Sequence, residues 1–214
     1  PTGTKAVRMG RAATELDVQT PQYEALPTKT DNLCQIFKMQ IEESTLQKMA
    51  NKEVGWTFSD QEEVAIIDMR LGMEKSFLFG NKCRLNHPLK REEVMLTGGI
   101  WYQAGKDFSF SSAHLTEAEL IDMMKEAFTG CSGSNRKVLI GGSTFIAELN
   151  KINFSRLVTA GDTCTHWGID FDTVHSKFGT LLVKHSEVFD MCGFDSAALI
   201  IDPQYMTKYT HVPF

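Results

Sequence analysis

Cys164 to His175, CTHWGIDFDTVH, gathers one cysteine, two histidines and two aspartates in twelve residues. All are side-chain types that bind metal ions. Their spacing decides whether they can act together. Trp167, Ile169 and Phe171 take the odd positions, and His166, Asp170 and Asp172 the even ones. That alternation predicts one half-buried strand, with the apolar set inward and the polar set outward. On such a strand His166 and Asp170 lie roughly 13 Å apart, whereas the ligands of one zinc ion each lie within about 2.3 Å of it. Asp170 and Asp172 are roughly 7 Å apart, but two carboxylates make a poor site, and His175 falls on the opposite parity. His114 and His185 join only if the fold brings them in. The expectation is therefore no metal ligand and no cofactor.

Other reactive patterns are weaker. IGGSTF, Ile140 to Phe145, reads as a Gly-Gly turn between a strand and a helix, which can aim backbone N–H groups at a phosphate. A Walker loop needs a lysine where Gly142 stands, and a nucleophile elbow needs a glycine where Phe145 stands. The turn is expected to be a helix start capped by Ser143 or Thr144. The five cysteines, Cys34, Cys83, Cys131, Cys164 and Cys192, show no C-x-x-C spacing and read as reduced thiols. Glu42–Glu43, Glu62–Glu63 and Glu92–Glu93 are sequence neighbours about 100° apart on a helix, so they read as solvated charge. No residue is assigned a catalytic, cofactor-binding or metal-binding role.

The elements around these residues predict an α+β chain. Residues 1–30, interrupted by Pro21 and Pro27, read as an extended arm. NLCQIFKMQIEES alternates apolar and polar and leans to a strand. SDQEEVAIIDMRLGMEKSFLFG is the clearest element. Ser59 and Glu62 form a capping box, Val64, Ile67, Leu71 and Leu78 an apolar stripe, and Gly80 the stop. The helix over 59–79 is roughly 30 Å long. Gly72 inside it costs about 1 kcal/mol relative to Ala, which points to a close packing neighbour. Residues 81–114 hold turns and short strands. In LTEAELIDMMKEAFTG, Thr116 and Glu119 make a second box, Leu120, Met124 and Phe128 the stripe, and Gly130 the end. RKVLIGGSTFIAELNKI reads as strand, turn and helix. THWGIDFDTV and FGTLLVKHSEVF read as two strands joined around Ser176, and SAALIIDPQY as a buried strand stopped by Pro203.

Composition limits the function classes. The 214 residues suit one substantial domain or two intertwined subdomains. A net charge of −5 argues against strong binding to a nucleic acid backbone; residues 1–30 carry +1 and the rest −6. No apolar run approaches the roughly eighteen residues of a membrane span. The chain shows no signal-peptide block and no initiating Met, which predicts a fragment or a processed chain.

Four stretches, in order, resemble the major capsid proteins of tailed bacteriophages with the Hong Kong 97-type fold. TDNLCQIF, Thr30 to Phe37, is similar to a T-x-x-x-N-x-x-Q-I-F segment before the long helix, with its spacing shortened. MLTGGIW, 95–101, resembles the turn after that helix. VHSKFGTLLVKHSEVF, 174–189, resembles the S-x-F-G-x-x-x-V hairpin, and AALIIDPQYMTKYTHVPF, 197–214, the family's ending. The resemblance spans 30–214. The chain departs from it at the N-terminus, which is shorter than usual for such proteins.

The resemblance implies a spine helix at 59–79 within a peripheral domain, 31–114. It also implies an axial domain over 115–196 and a last strand, 197–214, returning to the peripheral domain. Residues 1–30 would be an arm reaching a neighbouring subunit. The implied function is a self-assembling icosahedral shell subunit enclosing viral DNA, built in the bacterial cytoplasm. Its partners would be copies of itself, with scaffolding, portal or decoration proteins and only non-specific DNA contact, and no membrane. The alternatives are a small metal-dependent hydrolase built on the 164–175 His/Asp cluster, and a cellular nanocompartment shell of the same fold.

Overall fold

The computed structural model describes residues 10, 12, 15, 26–110, 114–130, 133–152, 160–166 and 169–211; for 51–54, 160–166 and 169–171 it describes the backbone alone. Most of the expected arm, Trp167 of the opening cluster and the last three residues of the family-like ending lie outside the described residues. By its contacts the chain divides into Pro1–Asp31 and Asn32–Phe214.

The second unit is α+β. Helix α1 spans Thr45–Val54 and α2 spans Phe58–Phe79. Strands β1, Cys83–Asn86, and β2, Glu93–Leu96, form an antiparallel hairpin. Then come α3, Glu117–Phe128; β3, Arg136–Gly141; α4, Ser143–Lys151; β4, Ala160–His166; β5, Ile169–His175; β6, Thr180–His185; α5, Glu187–Met191; and β7, Ala198–Ile201. The larger sheet runs β4-β5-β6-β3-β7, with β3 parallel to β6 and the other pairs antiparallel.

The period-two pattern of the central strands sorts their side chains between two layers. Leu139, Leu181, Val183 and Val174 pack on one face with Leu120, Met123 and Met124 of α3 and Phe145 and Leu149 of α4. Val138 and Leu182 point to the other face, beside Ile140 and Ile201. A separate cluster ties in the end of α2: Leu78 packs with Val188, Phe189 and Leu199, beside Phe79, Trp101 and Phe194. Phe79 stacks on Phe194 at 4.7 Å and 8° and meets Phe189 edge-on at 4.9 Å. Trp101 closes the cluster at 5.2 Å from Phe194.

Several expectations need correction. The box of α2 is Thr57–Asp60, two residues before Ser59–Glu62: Asp60 N donates to Thr57 Oγ1 at 3.3 Å, and Thr57 N donates to Asp60 Oδ2 at 2.7 Å. Both pairs fit the same motif, and the helix begins at the earlier one. Only the C-terminal end of the predicted stripe is buried. Leu78 is 7% exposed, whereas Val64 is 53% and Ile67 57% exposed, because no described residue covers that stretch. A Cβ at Gly72 would meet no atom within 4 Å, so the close neighbour expected there is not among the described residues. Gly80 ends the helix with φ −57, not in the left-handed region. Its lack of a side chain serves packing instead, since a Cβ would sit 2.7 Å from Thr97 O.

NLCQIFKMQIEES is irregular rather than a strand, because it pairs with no described strand, and α1 follows it without having been anticipated. THWGIDFDTV is not one strand. Chain direction reverses between His166 and Ile169, and β4 pairs with β5 through His166↔Ile169, Thr165↔Asp170 and Cys164↔Phe171. SEVF of the next stretch forms part of α5, not of a strand. The second helix box, Thr116–Glu119, is where it was expected: Glu119 N donates to Thr116 Oγ1 at 3.3 Å. Leu120 and Met124 are each 1% exposed, and Gly130 takes φ +75 after the helix.

Candidate functional site

The hairpin changes the distance argument for the metal cluster. Asp170 is the register partner of Thr165, the neighbour of His166, so the roughly 13 Å of a single strand does not apply. The side chains of His166, Asp170 and Phe171 lie outside the described residues. The other expected participants are spread out. Asp172 is exposed, and His175 Nδ1 lies 3.0 Å from Thr180 Oγ1 across the β5–β6 turn. His114 Nδ1 meets Glu148 Oε2 at 3.0 Å on α4, and His185 Nε2 meets Asp190 Oδ2 at 2.9 Å. Among the described residues no three His, Cys, Asp or Glu side chains converge to hold an ion.

The Gly-Gly-Ser-Thr turn does meet an anion, but the chain supplies it. Asp190 Oδ1 accepts from Ser143 N at 2.8 Å and from Ser143 Oγ at 3.0 Å, and Thr144 Oγ1 donates to Asp195 Oδ2 at 2.8 Å. Neither Ser143 nor Thr144 is the N-cap. Gly142 is, with no side-chain bond of its own, because a Cβ there would lie 2.4 Å from Asp195 O. The Ser143 N–H and the His185 imidazole hold the Asp190 carboxyl below its ordinary value. Serine, aspartate and histidine thus meet at one point in the wrong order for nucleophilic catalysis. A triad needs histidine between serine and carboxylate, so that it can take the serine proton. Here the carboxylate is in the middle, and it acts as a helix cap offered by α5 to α4.

The residues that carry the family resemblance do specific structural work. In TDNLCQIF, Leu33, Gln35 and Phe37 are half-buried and Cys34 and Ile36 exposed, so the alternation survives without a strand. Asn32 Oδ1 accepts from Gly98 N at 2.8 Å, and Asn32 Nδ2 donates to Gly98 O at 3.0 Å. Gln35 Oε1 accepts from Thr97 N at 3.2 Å, and Phe37 meets Phe77 edge-on at 5.9 Å. The Gly-Gly of MLTGGIW then closes on the end of α2. Gly99 N donates to Gly80 O and Ile100 N to Phe77 O at 2.9 Å, and a Cβ on Gly99 would lie 2.6 Å from Leu78 O.

The remaining two motifs brace the sheet. Ser176 N donates to Gly179 O at 2.9 Å in the β5–β6 turn, where a Cβ on Gly179 would lie 2.7 Å from Asn135 O. Asp202 caps the turn at Pro203–Tyr205, accepting from Gln204 N at 3.1 Å, and also accepts from Ser134 N at 2.7 Å. Burial pushes its carboxyl up, but the bonds from Ser134 and Gln204 outweigh that and leave it below its ordinary value. Each stretch locks one segment to another.

Comparison with known families decides what this scaffold is for. Residues 3–214 match the family model of the SU10 major capsid protein. The chain belongs to the SU10 major capsid protein family. No curated protein matches it. As a major capsid protein it is a structural subunit of a bacteriophage virion, and it assembles with copies of itself into a shell. Nothing favours the metal-dependent hydrolase. No described helix of this capsid subunit is long and apolar enough to cross a membrane. The functional residues of a shell protein are spread over contact surfaces repeated by symmetry. The periodicity and polarity of the sequence give those contacts no compact signature. The available signal is a stripe such as Val64–Ile67, whose periodicity is plain and whose cover is missing.

Proposed function

We propose that this capsid subunit has the Hong Kong 97-type fold, with α2 as the spine of a peripheral domain over 31–114 and an axial domain over 115–196. One observation carries the reading: among the described residues a 22-residue helix is fixed to the sheet unit through its second half, from Leu71 to the aromatic cluster at Phe79, while its first half keeps apolar residues exposed. A helix held in that way suits a subunit whose cover comes from its neighbours. Residues 197–214 would lead back from the axial sheet to the spine. β7 pairs with β3, Leu199 contacts the Leu78 cluster, and Lys208 Nζ lies 5.9 Å over the Phe77 ring.

Residues 1–30 would act as an arm reaching another subunit. The protein would serve as shell rather than enzyme, assembling in the bacterial cytoplasm with scaffolding, portal or decoration proteins and touching packaged DNA only non-specifically. Expression of the full-length gene product with its neighbouring genes, followed by electron cryomicroscopy, tests this. Closed shells whose subunits place α2 along the peripheral domain are expected. Absence of shells, or a different subunit fold within them, refutes it.

A further inference from the structure

Strands β1 and β2 form a two-stranded sheet of their own. Such hairpins are marginal in water unless another surface packs on them. Register puts Cys83, Leu85, Val94 and Leu96 on one face, all apolar, and Arg84, Asn86, Glu93 and Met95 on the other. On the apolar face Leu85 is 52% and Val94 37% exposed, and Leu89 at the tip is 89% exposed. Its turn is well built, since His87 Nδ1 accepts from Lys90 N at 3.2 Å and Arg91 N donates to His87 O at 3.0 Å. The hairpin is therefore an ordered projection whose apolar side, half-buried at Cys83 and Leu96, is left uncovered by the described residues toward its tip.

The first half of α2 offers the complementary surface. Val64 and Ile67 lie one helical step apart on one stripe, with Glu63 and Asp68 beside them. Residues 60–70 carry Asp60, Glu62, Glu63 and Asp68 against Arg70 alone. The hairpin tip carries Lys90 and Arg91, both exposed. Both apolar surfaces are exposed in the same chain, so they do not cover each other within it.

Resting on the capsid reading, we infer that the β1–β2 hairpin of one copy docks against the first half of α2 in a neighbouring copy. Leu85, Leu89 and Val94 would lie on Val64 and Ile67, and Lys90 and Arg91 would face Glu63 and Asp68. Repeated head to tail, hairpin on helix is a heterologous contact, which continues around a ring instead of closing as a dimer.

The test uses the full chain. The double reversal Lys90→Glu with Arg91→Glu is expected to lower the yield of assembled particles about tenfold or more at equal concentration. Glu63→Lys with Asp68→Lys, added to it, is expected to restore the yield. A photoreactive residue at position 89, in a mixture of 15N-labelled and unlabelled copies, is expected to give cross-links to residues 60–71 of a different copy. Unchanged yield after the first reversal, failure of the second to rescue, or cross-links that map elsewhere or stay within one copy overturn the inference. Wild-type shell formation reads the proposed function separately: shells indifferent to these changes leave that function standing and remove this contact.

Discussion

Phe189→Ala is the sharpest test of how α2 is held. Phe189 is 0% exposed and sits between Phe79 at 4.9 Å and Trp101 at 6.2 Å. Replacing a buried Phe by Ala costs about 3–5 kcal/mol in lost burial and residual cavity. The upper part of that range applies if the cluster cannot collapse, and the Phe79–Phe194 stack holds two of its walls apart. Total stability of a domain is about 5–15 kcal/mol, so the loss is a large fraction. At about 2–4 °C per kcal/mol for a chain of this size, the midpoint falls by about 6–20 °C. Urea unfolding of the unassembled chain measures the free-energy loss and thermal unfolding the midpoint, both followed by tryptophan fluorescence and far-ultraviolet circular dichroism. Phe178→Ala is the control: Phe178 is 40% exposed, so its loss should be clearly smaller, at most about half that of Phe189. A Phe189→Ala loss below about 1 kcal/mol, or equal losses at the two sites, would refute the claim that this cluster anchors α2.

Thr57→Ala should destabilise the chain by about 1 kcal/mol, while Ser59→Ala should be near neutral; urea midpoints with the order reversed would restore the box at Ser59. Gly142→Ala drives a Cβ against the Asp195 backbone and should cost about 1–3 kcal/mol, whereas Gly72→Ala in open space should stabilise the unassembled chain by up to about 1 kcal/mol. The Asp190 carboxyl, held low in the folded state, contributes stability above the unfolded aspartate value of about 3.9 and loses it as pH falls through its lower folded value. Carboxyl-carbon NMR titration should show Asp190 titrating below free aspartate, and His185→Ala should move it back up; an unmoved value would show that His185 does not contribute.

Local chemistry was legible in the sequence. Thr116–Glu119 is a box because its bonds span three residues and need no other part of the chain. Thr57–Asp60 competes with Ser59–Glu62 for the same grammar, and choosing between them depends on where the chain before the helix runs. The hairpin at 164–175 is not legible because alternation on either side of Gly168 reads as one continuous strand, although Gly168 is itself a turn signal. The Ser143 cap was misplaced because its partner, Asp190, is 47 residues away. The α2 stripe was read correctly as apolar, but a sequence pattern says which side of a helix avoids water and not which molecule covers it. The resemblance carried the function, and the docking of Asn32, Gln35 and Phe37 gives those motif residues a physical reason.

The Asn32–Gly98 pair has a mechanical consequence. Tension arriving along the chain before Asn32 meets two hydrogen bonds to one glycine. Beyond that glycine lie Gly99 on Gly80 and Ile100 on Phe77, and then the ring stack at Phe79. Load applied at Asn32 is thus delivered to the C-terminal end of α2, over a path of a few residues that bypasses the exposed first half of the helix. Such a load would pivot α2 about its anchored end, as a tiller turns about its post.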